Sequence, residues 1–143
     1  MLIRNKVTNQ AQLVQAIHKF SNSQKTRNKE AFVVATLRNI NAAINKEAAH
    51  DYWDIGGDSY ALCRFERDGD GSLCYTAYQL YLSPKVKGMA NVRKILHFLK
   101  FYAQKHQCQK FLIITNKLDQ IKAYSRGIGK QFKASHIVFT QEI

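Results

Sequence analysis

Acidic residues are scarce in this chain, and unevenly so. Against 22 Lys and Arg stand 10 Asp and Glu, a formal net charge of +12, and residues 84–143 hold only 2 of those acids beside 12 of the bases. A field of that sign attracts polyanions, whether nucleic acid, an acidic membrane face or the phosphates of a cofactor, and charge alone does not choose among them. Cysteine is scarce too. Cys63, Cys74 and Cys108 are too few and too far apart for a disulfide framework, and no CxxC pair exists to seed a zinc or thiol-redox site. Cys63 and Cys74 can approach across a hairpin, but two cysteines without a nearby pair of histidines make a poor metal site, so no metal is expected. There is no run of 18 or more apolar residues, and Met1 to Lys6 lacks the apolar stretch of a secretory leader, which sets the expectation of a soluble, cytoplasmic protein without a membrane partner. None of the five histidines has a partner at HExxH-like spacing, and each reads as structural or surface.

What is present suits one domain over residues 1–143, since 45% of the residues are hydrophobic and a chain of this length closes around a single core. Leu2 to Val7 reads as a short strand, after which Thr8 or Asn9 caps a helix carrying Leu13, Ile17 and Phe20 on one face. Ser21 to Asn28 reads as a polar loop, followed by a helix from Lys29 to Ala48 with Val33, Leu37, Ile40 and Ile44 at core spacing. Three strands come next, Tyr52 to Ile55, Tyr60 to Arg67 and Leu73 to Leu82, separated by Gly56-Gly57-Asp58 and Asp68-Gly69-Asp70-Gly71, which makes an antiparallel meander. The single proline, Pro84, ends the last of them because it cannot donate to a ladder. A helix from Asn91 to Lys105 turns Val92, Ile95, Leu96, Leu99 and Ala103 toward a sheet, and Lys110 to Thr115 is a short apolar strand. By the handedness of crossovers that strand lies parallel to, and beside, the Leu73 strand. A helix from Asp119 to about Gly127 and a strand from His136 to Thr140 complete an α/β class: a mixed, mostly antiparallel sheet of about six strands with helices on both faces.

The segment Lys85-Val-Lys87-Gly88-Met89-Ala90 lies between the third of these strands and the Asn91 helix. A glycine-bearing turn that opens a helix after a strand presents unpaired amides to an anion, and Gly88 lets a phosphate approach the backbone closely. No Ser, Thr or Asp stands at the helix entrance to satisfy those amides. Lys85, Lys87, Arg93 and Lys94 surround the same end, either to neutralise a pyrophosphate or simply as solvated surface cations.

This element order, with that turn, resembles the GNAT superfamily of acyl-CoA N-acyltransferases along essentially the whole chain. In that family the turn between the fourth strand and third helix carries Gln or Arg, two residues, Gly, one residue, then Gly or Ala. Lys85, Gly88 and Ala90 take those places, with lysine keeping the charge but lacking the planar fork of arginine. The resemblance implies acetyl-CoA as cofactor, with the amides of Gly88, Met89, Ala90 and Asn91 around its pyrophosphate and Lys85, Lys87 and Arg93 close by. It also implies roles for Asn116, just after the fifth strand, in shaping the next helix or binding the pantetheine arm, and for Tyr124 as the general acid that protonates the departing thiolate. The spacing between the two is one residue longer than usual, and the Gly-Phe that normally follows is missing; Phe132 is the available substitute.

An amine acceptor must be neutral to attack a thioester, so a proton acceptor is needed as well. Glu66 is the acid best placed for it, while its alternation with Arg64 and Asp68 is equally the pattern of a solvated strand face. Tyr75, Tyr78 and Tyr81 either line an acceptor cleft or form one packed layer of the sheet. The resemblance implies an N-acetyltransferase for a small-molecule or peptide amine. The alternative is a catalytically inactive GNAT-like fold, of the kind a phage or mobile-element protein uses to bind another protein, or nucleic acid through its basic C-terminal half. A homodimer is the assembly to expect of either.

Overall fold

In the computed structural model the residues described are 2–23, 28–56, 58–86 and 88–114. They form β1 (Ile3–Arg4), α1 (Gln10–Ser23), α2 (Lys29–Ile44), β2 (His50–Gly56), β3 (Ser59–Arg67), β4 (Leu73–Tyr81), α3 (Met89–Lys105) and β5 (Lys110–Ile113). The sheet runs in the order β1-β2-β3-β4-β5, antiparallel throughout except that β4 and β5 are parallel. The expected meander and the expected parallel neighbour are both there. The helix expected from Asp119 and the strand expected from His136 lie outside the described residues.

The sheet divides the core into two layers. On one face α1 and α2 bring Leu13, Ala16, Ile17, Val33, Ile40 and Ala43 onto Tyr52, Tyr60 and Leu62. On the other, α3 lays Ile95, Leu96, Leu99 and Ala103 over Trp53, Ala61, Cys63, Tyr75 and Ala77. The strand period of two therefore assigns odd and even residues of β3 to opposite helices. Each fully buried Leu or Ile in these layers contributes on the order of 2 kcal/mol through the apolar surface it removes from water.

Element ends follow local chemistry. Asn9 Oδ1 accepts from Gln12 N at 3.1 Å and Asn28 Oδ1 from Ala31 N at 3.0 Å, so an asparagine caps each of the first two helices. The first helix runs through Ser23, into the segment whose polarity suggests a loop. The second stops at Ile44 rather than Ala48, because Lys46 turns into the left-handed region at φ 57°. The first strand is shorter than the run Leu2 to Val7 suggests: Asn5 is left-handed at φ 56°, and its side-chain Oδ1 takes the Tyr52 amide at 2.8 Å that a longer strand's backbone would have taken. At the opposite end of the sheet, Lys110 Nζ reaches Asp68 and Asp70, each at 2.8 Å, tying the β3–β4 hairpin to the start of β5.

One polar network crosses the α3 layer. Tyr75 donates to Asp51 Oδ2 at 2.7 Å and accepts from Trp53 Nε1 at 2.8 Å, while Arg4 donates to the Tyr102 hydroxyl at 2.7 Å and lies 3.6 Å from Asp51 Oδ1. Burial pushes the Tyr75 phenol well above its usual range, so it remains a donor to the carboxylate.

Candidate functional site

The turn into α3 is built around Gly88, which stands at the N-cap with φ 105° and makes no side-chain capping bond. A side chain would be strained at that angle, whereas a Cβ placed there would meet no atom within 4 Å, so the space beside Gly88 on that side is open. The amides of Asn91 and Val92 both turn back to Gly88 O, at 3.1 and 3.2 Å. The remaining amides at the start of α3 have no intrahelical acceptor, by the geometry of any helix entrance. Ala90, Arg93 and Lys94 are exposed on this end.

Lys85, at the first position of the turn, is engaged away from the helix entrance. Its Nζ bonds Asp58 Oδ2 at 2.9 Å across to the β2–β3 turn, with the lysine side chain 66% exposed and the aspartate 9%. The other carboxylate oxygen, Asp58 Oδ1, is buried without a hydrogen-bond partner. The turn is further pinned by Ser59 Oγ, which accepts from Ser83 N at 2.8 Å.

The second feature is in β4. Leu62 stands opposite Gln79 while Cys63, the next residue of β3, stands opposite Ala77, so Tyr78 is an extra residue in β4: a β-bulge. The side chains confirm it. Ala77 and Leu80 lie in the α3 layer, whereas the two residues between them both turn to the α1–α2 face, Tyr78 packing beside that core and Gln79 Nε2 donating to Thr36 Oγ1 of α2 at 3.1 Å. Among the described residues the β4–β5 ladder reaches the same place: its last register pair is Ala77 with Ile113, followed by Ile114 N donating to Ala77 O at 3.0 Å. Among the described residues, Tyr78 to Tyr81 have no ladder partner on the β5 side.

Around the bulge, on the α1–α2 face, sits a polar group drawn from three strands. His50 Nδ1 lies 2.7 Å from the Tyr78 hydroxyl, and the Arg64 guanidinium carbon lies 4.9 Å from the centre of the Tyr78 ring. Glu66 accepts from Arg64 Nε at 2.9 Å on one oxygen and from Thr76 Oγ1 at 2.6 Å on the other. Burial lowers the affinity of His50 for a proton and the Arg64 charge lowers it further, partly opposed by Asp51. Burial also pushes the Tyr78 phenol up to about 12, against the pull of Arg64. At neutral pH the pair is thus a neutral imidazole facing an intact phenol.

Of the residues expected to form a site, the structure brings Lys85, Gly88, Ala90, Asn91 and Arg93 to the α3 entrance and puts Glu66 on the bulge-side face of the sheet. Lys87, Asn116, Tyr124 and the Met89 side chain lie outside the described residues. The three tyrosines of β4 are neither one layer nor one cleft, because Tyr75 faces α3 whereas Tyr78 and Tyr81 face the other helices. In the sequence His50 reads as structural or surface, since its partner is 28 residues away and the pairing depends on the bulge.

By sequence, no family model and no curated protein matches the chain. Solved structures do match by fold, over nearly its whole length. A putative acetyl transferase from Pyrococcus furiosus superposes with a TM-score of 0.72 at 11% identity, over 100% of this chain and 99% of that one. A transcriptional regulator from Bacillus halodurans C-125 gives 0.67 at 16% identity over all of both chains. A predicted acetyltransferase with acetyl-CoA from Clostridium acetobutylicum gives 0.66 at 12% identity, over 99% of this chain and 95% of that one. The chain has a GNAT-like fold, far diverged in sequence from these solved structures.

Proposed function

We propose that this protein is an acetyl-CoA-dependent N-acetyltransferase acting on an amine. The observation that carries the reading is the Gly88 turn, with no capping side chain and open space where a Cβ would stand, following a strand, β4, that bulges at Tyr78, just past its last described register pair with β5. A helix entrance whose first amides have no intrahelical acceptor suits a pyrophosphate, and a strand that bulges out of regular pairing suits an extended pantetheine arm, which hydrogen-bonds as a strand does. That a relative of the same fold is described with acetyl-CoA supports the choice of donor.

Acetyl-CoA supplies an activated acetyl group as a thioester. In this reading the amides of Gly88, Met89 and Ala90 hold the phosphates, that of Asn91 being turned back to Gly88 O, while Lys87 and Arg93 add positive charge and Lys85 fixes the turn to Asp58 or exchanges that partner for a phosphate. The β4 amides from Leu80 to Leu82 are the donors for the thioester oxygen as charge develops on it. Asn116 and Tyr124 keep the roles that the resemblance gives them, contact with the arm and protonation of the leaving thiolate. Glu66, on the acceptor-side face, is one candidate to take the amine's proton.

A thermal-shift titration with acetyl-CoA and with CoA tests the reading. Binding raises the melting temperature by linkage, by an increment that grows with the logarithm of ligand concentration once the site is saturated. A melting temperature indifferent to both ligands would overturn it.

A further inference from the structure

The group that removes the acceptor's proton stands at the bulge itself. Resting on the acyl-transfer reading, we propose that Tyr78 and His50 form a two-residue relay in which the Tyr78 hydroxyl touches the incoming ammonium and His50 receives the proton behind it.

Three observations converge on this pair. Tyr78 is the inserted residue of β4 and, among the described residues, the first one past its register pairs with β5, so its side chain lies where the strand departs from regular pairing. Its hydroxyl is 2.7 Å from His50 Nδ1, a distance at which a proton crosses without movement of either ring. Arg64, held by Glu66, lies over the phenol ring and fixes its plane. Glu66 is the poorer acceptor by comparison. Both of its oxygens already receive hydrogen bonds, and it stands opposite Cys74, at a level where β4 is still paired with β5.

The chemistry balances. An N–H bond of the ammonium breaks as its proton passes to Tyr78 Oη, and the phenol's own proton passes to His50 Nδ1, leaving a free amine, an intact phenol and an imidazolium. The nitrogen lone pair forms the C–N bond to the acetyl carbonyl, the C–S bond breaks, and its electron pair leaves on the CoA sulfur. The second proton lost from nitrogen as the amide forms balances the one the thiolate takes up, and His50 returns its proton to solvent.

The charges facing His50 set the working range. Arg64 on β3 disfavours the imidazolium and Asp51 on β2 favours it; Glu66 reaches the pair only through Arg64, and β4 contributes the Tyr78 phenol. The burial of His50 keeps it neutral, and so ready to accept, down to a pH below the 6.5 of a free histidine.

Two acceptor probes separate this role from a structural one. Spermidine is an ammonium near neutral pH and needs a base, whereas hydroxylamine is already neutral and does not. His50→Gln and Tyr78→Phe are expected to keep the acetyl-CoA thermal shift and to lose much less transfer to hydroxylamine than to spermidine. With spermidine each is expected to lose on the order of 100-fold, the usual size of a general-base contribution, and the double variant no more. Equal loss with both probes, or a loss confined to Glu66→Gln, would overturn the relay. So would a wild-type protein that shows the thermal shift but transfers to neither amine. A wild-type protein with no acetyl-CoA shift instead defeats the underlying acyl-transfer reading.

Discussion

Tyr78 and Gln79 are consecutive on β4, yet both side chains lie on the α1–α2 face. A regular strand sends neighbours to opposite faces, and the bulge is what allows both to be there. Gln79 uses the position to join three elements: its Oε1 accepts from the Tyr60 hydroxyl at 2.8 Å and its Nε2 donates to Thr36 at 3.1 Å. Gln79→Met, close in volume, leaves two buried hydroxyls without these partners. It is expected to cost about 1–3 kcal/mol of stability, read as a lower urea midpoint at unchanged slope. Tyr60→Phe in the same background should recover part of that loss, since it removes one of the orphaned groups.

Much of this arrangement was legible in the sequence, and the bulge marks where legibility stopped. Period-two runs separated by Gly and Asp turns identified β3 and β4, and Leu13, Ile17 and Phe20 identified the buried face of α1, because each pattern needs only its own segment. The crossover through α3 then placed β5 beside β4. A bulge has no such local signature here. Tyr75, Tyr78 and Tyr81 read as a stripe, and only the pairing of Cys63 with Ala77 and of Leu62 with Gln79 shows that the stripe changes face. The anion turn was visible as a motif, while the engagement of Lys85 by Asp58 was not, since it joins two turns 27 residues apart.

Gly88 takes an angle that residues with a Cβ rarely adopt. Gly88→Ala would meet no neighbouring atom, so the strain is confined to the backbone and is expected to cost on the order of 1–3 kcal/mol. If the turn relaxes to escape it, the amides at the α3 entrance lose their common direction. The expected result is a lower melting temperature together with a smaller increment on adding acetyl-CoA. A variant that melts lower but keeps the full increment would separate the fold of the turn from ligand binding.

The Asp58–Lys85 pair joins a nearly buried carboxylate to an exposed ammonium. Lys85→Ala removes the cation and leaves both carboxylate oxygens unpaired, Oδ1 being unpartnered already. Solvent around the exposed lysine limits the loss to about 1 kcal/mol. Asp58→Asn keeps a residue type tolerant of the left-handed φ of 64° and removes the buried charge. The double variant should therefore be more stable than the sum of the two single losses predicts, which a double-mutant cycle by urea unfolding will show.

His50 also carries a stability signature that needs no substrate. Its folded-state proton affinity is lowered, first by burial and then by Arg64, relative to the 6.5 of the unfolded chain. Between the folded value and 6.5 the unfolded chain binds more protons, so the contribution of this residue to stability rises with pH across that window. Above the window both states hold a neutral imidazole and the contribution is flat; as pH falls through the window the stability is progressively lost. His50→Gln does not titrate and should abolish that component of the slope. Urea unfolding of both proteins from about pH 5 to pH 8 measures it, and matching slopes would show that His50 titrates in the folded protein as it does in the unfolded chain.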